Sequence, residues 1–314
     1  MRTAAMIALE QLFLALLIIR PGSVGRQDAE RRSILTRTTL QMKKLVFCAD
    51  DFALHGAASE GIASLAHQGC LTATSVMVLS PRWPTDVTLL ESLREHIDVG
   101  LHLDWTSEFA LQAGHGMTLA RSMLLAGLRQ IKPAQAKAVI ERQLDGFEQV
   151  WQAPPDHVDG HQHVQQFPGI REALVLVLAK RYGNATTQPY LRISKLPPAQ
   201  ADVKARIIAA MGAEPLRRLA RQNSVPSAPA LTGVYNFSDS PLSYAQRMSD
   251  WLQTSPEGTL LMCHPAQGIE AHDSIGPARL REYRHLAGAE FQAQLQTLGV
   301  ELVRGSDLYT KPVR

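Results

Sequence analysis

The sequence predicts a single α/β domain built on a mostly parallel sheet, open or closed into a barrel. Three observations predict it. Short β-type runs alternate with helical patterns from Leu45 onward. The first run, residues 45–49, is continuously apolar, as a strand covered on both faces should be. No Ser/Gly-rich linker or internal repeat interrupts the series. In such a sheet the ligand site lies at the carboxyl ends of the strands, so chemistry belongs where strands stop.

Each element follows from its local pattern. Residues 60–68 place Ile62, Leu65 and Ala66 at helical spacing, and Gly69 ends that helix as a C-cap. Residues 72–79 and 97–103 form the next two strands. Over residues 133–151, Ile140, Leu144, Phe147 and Trp151 share one helical face, and Pro133 suits the first turn. Further strands are expected at 157–161, 190–193, 260–263 and 301–303, separated by helices around 170–181, 203–221, 244–252 and 278–298.

Composition narrows the function. A 45% hydrophobic content over 314 residues is ample for a buried core, and a formal charge of +3 with no long basic run and 6% aromatics argues against a nucleic-acid partner. A small neutral or polar ligand fits better. Cys48, Cys70 and Cys263 are odd in number and sit within or beside apolar runs, which reads as reduced thiols and a cytoplasmic chain. Residues 1–41 stand apart. Residues 4–19 resemble the apolar part of a signal peptide with Arg2 before it, but Glu10 and Gln11 interrupt a run too short to span a membrane, and residues 20–41 are polar and Arg-rich. Met42-Lys43-Lys44 looks like a natural start, so residues 1–41 are expected to be a disordered tail or mis-annotated extension outside the fold. A true export signal is the alternative.

The strand ends carry the candidate chemistry. Asp50 and Asp51 end the first strand, His102 and Asp104 end the third, and His264 follows residues 260–263. In His157-Val158-Asp159-Gly160-His161-Gln162-His163 the period of a strand would turn His157, Asp159, His161 and His163 to one face if the segment stays extended. Imidazole and carboxylate together suit zinc and similar divalent ions. Bland readings stand beside these: a single strand-end histidine is usually hydrogen-bonded structure, and the aspartate pair could cap the following helix. Three strand ends each supplying a carboxylate or imidazole is what a mononuclear site of two His and one Asp requires.

The strings ADDF (49–52), LTATSVM (71–77), VGLHLD (99–104), HVDGHQH (157–163) and CHP (263–265), in that order, resemble the YdjC family of carbohydrate deacetylases, which includes chitooligosaccharide deacetylase and the hopanoid-associated deacetylases. The resemblance runs over residues 43–308 and implies an irregular, TIM-like (β/α) barrel that hydrolyses an N-acetyl group on a sugar, a linear amide. It implies Asp51, His102 and His161 as metal ligands, Asp50 as general base, and His264 as general acid on the opposite side of the substrate, with Arg192 orienting Asp50. Resemblance implies Mg²⁺, whereas the His/His/Asp set equally suits Zn²⁺. Asp159 reads as a partner holding an imidazole tautomer. His163 could replace His161 as ligand or contact the sugar. Trp105 and Tyr235 are candidate stacking platforms for a sugar, with core packing as the alternative. One departure is visible: the family has Gly after ADDF and this chain has Ala53, which costs about 1 kcal/mol if the position needs φ > 0.

The implied partner is an N-acetylated sugar, with no nucleic acid, no membrane span and a homodimer as one admissible assembly. Two rivals remain: another metal-dependent amidohydrolase or phosphoesterase barrel, and a non-catalytic carbohydrate- or metal-binding protein. The first usually opens with HxH on its first strand, and the second needs neither Asp50 nor His264.

Overall fold

The fold comes from a computed structural model that describes residues 42–185, 187–200 and 203–310. The N-terminal stretch expected to be a tail or signal lies outside the described residues. Among the described residues eight strands form one sheet: β1 Lys43–Phe52, β2 Ala73–Val76, β3 Asp98–Leu103, β4 His157–Gly160, β5 Tyr190–Leu191, β6 Leu231–Thr232, β7 Leu260–Cys263 and β8 Val300–Leu302. The order is β5-β4-β3-β2-β1-β7-β6, with β8 paired to the start of β1, and every pairing is parallel.

The sheet curls into a half-barrel rather than closing by a regular ladder. Leu191 donates to Pro226 O and accepts from Ala228 N, both at 2.9 Å, and Leu231 N donates to Lys195 O at 2.9 Å. The edges therefore meet through the segment entering β6. Its two residues follow Ala228-Pro229-Ala230 and precede Gly233, too short for a period, and no strand was expected there.

Strand β1 has Leu45, Val46, Phe47, Cys48 and Ala49 fully buried, as its apolar run requires, and burial of one such large side chain contributes about 1.5–3 kcal/mol. Helices pack outside, including Gly56–His67, Pro133–Trp151, Ile170–Tyr182, Pro241–Thr254 and Gly276–Leu286. Two expected helices are each broken in two. Residues 203–221 become Val203–Ala210 and Ala213–Gln222, divided at Gly212, whose φ of 137° and closeness to Gln166 O admit no side chain. Residues 278–298 become Gly276–Leu286 and Ala289–Thr297. The short helices Trp83–Asp86, Glu108–Gln112 and Leu119–Gly127 were not foreseen. The three cysteines are free and buried, and no described helix is long and apolar enough to cross a membrane.

This topology puts the end of β1 in the middle of the rim. His102 on β3 is in register with Asp159 on β4, and His264 directly follows β7, which pairs with β1.

Candidate active site

The site begins with an irregularity in β1. Ala49 pairs with Thr74 and Phe52 with Val76, so three steps on β1 match two on β2 and one residue is extra. Asp51 takes φ 69°, a left-handed conformation that costs an L-residue about 1–2 kcal/mol. On a regular strand Asp50 and Asp51 would point to opposite faces. The bulge lets both reach the same cavity. Ala53 also has φ 69°, the conformation that its replacement of Gly put in question.

Oδ1 of Asp51 lies 3.3 Å from His102 Nε2 and 3.2 Å from His161 Nδ1, while Oδ2 accepts from Arg279 Nη2 at 2.7 Å. Donor atoms of Asp51, His102 and His161 all fall within 4.8 Å of one another, a two-imidazole, one-carboxylate set that a divalent cation accepts. Burial alone would raise the Asp51 pKa. The Arg279 charge and hydrogen bonds from both imidazoles overcome it and hold the carboxyl well below the usual range. Burial would likewise lower His102, but the charge of Asp159 and hydrogen bonds to Asp159 and Asp51 raise it to about 10. His102 Nδ1 meets Asp159 Oδ1 at 2.6 Å, which directs Nε2 toward Asp51. A cation at Nε2 competes with a tightly held proton there.

Asp50 is clamped separately. Arg192 donates Nη1 to Oδ1 at 2.6 Å and Nη2 to Oδ2 at 2.9 Å, a bidentate pair buried on both sides, and its Nη1 is also 3.0 Å from Asp159 Oδ2. Ser75 Oγ donates to Asp50 Oδ1 at 3.3 Å and lies 3.2 Å from His102 Nδ1. His264 Nε2 is 3.8 Å from Asp50 Oδ2. Both side chains line the cavity, close to one another. Burial, opposed by the Asp50 and Asp51 charges, lowers the His264 pKa, so the imidazole is neutral at pH 7. Its backbone N–H donates to Glu282 Oε2 at 2.5 Å, and Glu282 Oε1 accepts from Tyr235 at 2.6 Å.

Other residues stand differently from the sequence reading. Strand β4 stops at Gly160, and Gln162 and His163 have φ of 53° and 62°, so the HxDxHxH segment does not share one extended face. His163 turns to Ser194, 3.0 Å from Nδ1 to Oγ, and burial and the Arg192 charge hold its pKa down. His157 is buried against Tyr190, ring centroids 5.1 Å apart, in space left by Gly100, where a Cβ would meet its ring. Asp104 accepts from Thr106 and Ser107 backbone N–H groups and shapes a turn. Trp105, 3% exposed and edge-on to His115, is core rather than stacking platform. Tyr235 borders the cavity but packs among Phe237, Tyr244 and Trp251. Arg279 was missed. Its only signal was that it shares a helical face with Glu282 and Leu286, and all three are buried.

The cavity, about 1090 Å³, joins these polar groups to an apolar wall that includes Leu54, Phe109, Met123, Ile207, Met211 and Phe237. It exceeds the roughly 300–1,000 Å³ usual for small-ligand sites, so there is room beyond a single sugar ring.

The YdjC-like protein family profile matches residues 44–297. The chain belongs to the YdjC-like family. A carbohydrate deacetylase of Danio rerio is 26% identical over 174 residues, 50% of this chain and 54% of that protein. A chitooligosaccharide deacetylase of Proteus mirabilis is 27% identical over 137 residues, 40% and 51% of the two chains. The chain thus spans about half the length of these curated relatives. A solved structure from Enterococcus faecalis, described as a cellobiose-phosphate cleavage protein, superimposes with a TM-score of 0.64 at 19% identity, covering 85% of this chain and 99% of that one. That likeness is one of fold, and this YdjC-like chain shares its curled parallel barrel.

Proposed function

We propose that this chain is a divalent-metal-dependent hydrolase that removes the acetyl group from an N-acetylated amino sugar. One observation carries the reading: Asp50, a carboxylate that the donor set of Asp51, His102 and His161 does not need, is clamped bidentately by Arg192 in the same cavity. Family membership and the names borne by the relatives support sugar and amide as the substrate chemistry.

Asp51, His102 and His161 would hold the cation, which when bound supplies polarisation of the acetyl carbonyl, a more acidic water and charge stabilisation in the transition state. Arg192 fixes the orientation of Asp50, which accepts the proton of the attacking water, a transfer typically worth about 10²- to 10⁴-fold. His264, neutral and 3.8 Å from Asp50, starts as an acceptor. It takes that proton at Nε2 and delivers it to the departing nitrogen as the C–N bond breaks, so that one proton moves from water to the amine, and the carboxylic acid product gives its remaining proton to solvent and leaves as acetate. Asp159 keeps the His102 ring in one tautomer throughout.

The test is acetate release from a panel of N-acetylated mono- and oligosaccharides by protein stripped with chelator and reloaded with Mg²⁺ or Zn²⁺. Acetate is expected only with metal. Sugar binding without acetate from any substrate would make this a binding protein, and phosphate release from sugar phosphates without acetate would move it to the phosphoesterase class.

A further inference from the structure

Arg279 is 3% exposed and lies between two carboxylates. Nη2 donates to Asp51 Oδ2 at 2.7 Å and Nε to Asp273 Oδ2 at 2.8 Å, while Nη1 reaches His264 O at 3.5 Å. Its own carbonyl accepts from Ala266 N at 3.2 Å. Asp273 is 3.2 Å from His55, whose Nδ1 caps helix Gly56–His67. The Asp273 arm fastens the 264–276 loop, one wall of the cavity, to that helix, and packing accounts for it. The Asp51 arm does more. It occupies the one oxygen of Asp51 that faces neither imidazole.

We infer that Arg279 is a positioning residue that confines Asp51 to a single donor oxygen and offsets its charge, so that the centre holds its cation less tightly and leaves it more electron-poor than the same three donors would alone. This rests on reading Asp51, His102 and His161 as a cation site. A carboxylate can give a metal one oxygen or both. A guanidinium on Oδ2 removes the second, and its positive charge opposes a dication a few ångströms away, an interaction of appreciable size wherever water is excluded. The fork suits the work, since a planar guanidinium can serve Asp51 and Asp273 at once and an ammonium cannot hold both in that geometry. Arg279 and Arg192 divide the adjacent aspartates: Arg192 clamps both oxygens of Asp50, and Arg279 leaves Oδ1 of Asp51 open to the two imidazoles.

A purely structural arginine and a charge-setting one predict opposite signs. If Arg279 only supports packing, its loss loosens Asp51 and weakens metal uptake. If it sets the charge of the site, Arg279→Gln binds metal more tightly, by about tenfold or more, while kcat falls because Asp51 donates more charge to the cation. The experiment is calorimetric titration of Zn²⁺ and of Mg²⁺ into chelator-stripped wild type, Arg279→Gln and Arg279→Lys, with kcat measured on whichever acetylated sugar the wild type accepts. The lysine variant keeps the charge, so its metal affinity is expected within about threefold of wild type, with kcat lowered by the lost fork. Weaker or unchanged metal binding by Arg279→Gln overturns the inference and leaves the site standing. Should that variant not fold, Arg279→Lys decides, and loss of metal binding or an unchanged kcat overturns it. A wild type that takes up no divalent cation overturns the reading of the site and this inference with it.

Discussion

Two pairs of acids at opposite ends of the sheet are treated differently by the same fold. At the carboxyl ends of the strands, Asp50 and Asp51 are adjacent and buried, and each meets its own buried guanidinium, Arg192 from beyond β5 and Arg279 from helix Gly276–Leu286. At the amino ends, Asp98 opens β3 and Asp156 precedes β4. Asp98 accepts from Tyr190 at 3.0 Å and from Ser306 N at 2.8 Å, and Asp156 accepts from Val99 N at 2.8 Å. Arg304, whose charge acts on Asp156, is engaged with Asp307 and partly exposed. The outcomes differ accordingly. Asp51 stays well below the usual carboxylate range, whereas burial and the Asp98 charge push Asp156 up to about 7. Burial drives a carboxyl toward its neutral form unless a cation opposes it. Both of these buried arginines stand at the end of the sheet where the site is read.

The largest effects should come from dividing the upper pair. Asp51→Asn is expected to lose metal, measured by elemental analysis, while Asp50→Asn keeps metal and loses kcat by roughly 10² or more, the scale of a missing general base. Arg192 retains Asp159 and Arg279 retains Asp273, so neither variant strands a buried charge and each should lose less than the roughly 3–5 kcal/mol such stranding costs. Near-normal turnover in metal-loaded Asp50→Asn would remove it as the base and leave the pair without separate roles.

Next in size is the choice between the histidines of HQH. His161→Ala should lose metal and His163→Ala should keep it, because His161 faces Asp51 and His163 faces Ser194. Metal uptake should also strengthen as pH rises toward about 10, where the proton leaves His102 and its Nε2 lone pair is freed. Calorimetry from pH 6 to 9 checks the sign, and affinity independent of pH would take His102 out of the donor set.

The sequence made the members of the upper pair legible but not their geometry. Asp51 and His102 could be found because each ends an apolar run, and His161 because it stood in an alternating polar segment; strand ends are where such folds do chemistry. How two neighbours on one strand reach the same cavity was hidden, since nothing in ADDF marks an extra residue against β2; only Ala53, standing where the family has Gly, hinted at the unusual backbone. At β4 the pattern misled. Alternate polar residues satisfied a strand period, yet the chain leaves the strand at Gly160 and turns through two left-handed residues. Arg279 stands among Arg281 and Arg284 in PARLREYRHL and reads like part of a solvated helix face until tertiary packing buries it. Short irregular helices carried no period at all.

The lower pair can be tested by pH. The folded pKa of Asp156 lies above its unfolded value near 4, so between about pH 4 and 7 the native state holds a proton that the unfolded chain has released, and stability falls as pH rises through that window. Asp156→Asn keeps an acceptor for Val99 N and cannot ionise. It should therefore gain on wild type as pH rises from 4 to 7, by a difference on the order of 3 kcal/mol. Denaturant unfolding at several pH values measures this, and a constant difference would mean that Asp156 is not held near neutrality.

The smallest expected effect concerns the backbone that carries the upper pair. Asp51 and Ala53 both have φ near 69°, whereas Asp50, Asp98 and Asp156 are absent from the positive-φ residues among those described, so of the four acids Asp51 alone carries this strain. Asp51 cannot be relieved without losing its carboxylate, but Ala53→Gly relieves its neighbour. The left-handed conformation costs an alanine about 1–2 kcal/mol, and glycine gives back roughly 0.5–1 kcal/mol through the greater freedom of its unfolded chain. Ala53 is buried, so the lost methyl takes a further part of the gain. The net change should be within about 1 kcal/mol of zero, with kcat unaltered because Ser59 Oγ can still accept the residue 53 N–H at 3.1 Å. A Tm drop equivalent to more than about 1 kcal/mol would show that methyl packing outweighs the strain. A change in kcat without one in Tm would show instead that the alanine sets the angle at which Asp51 enters the site.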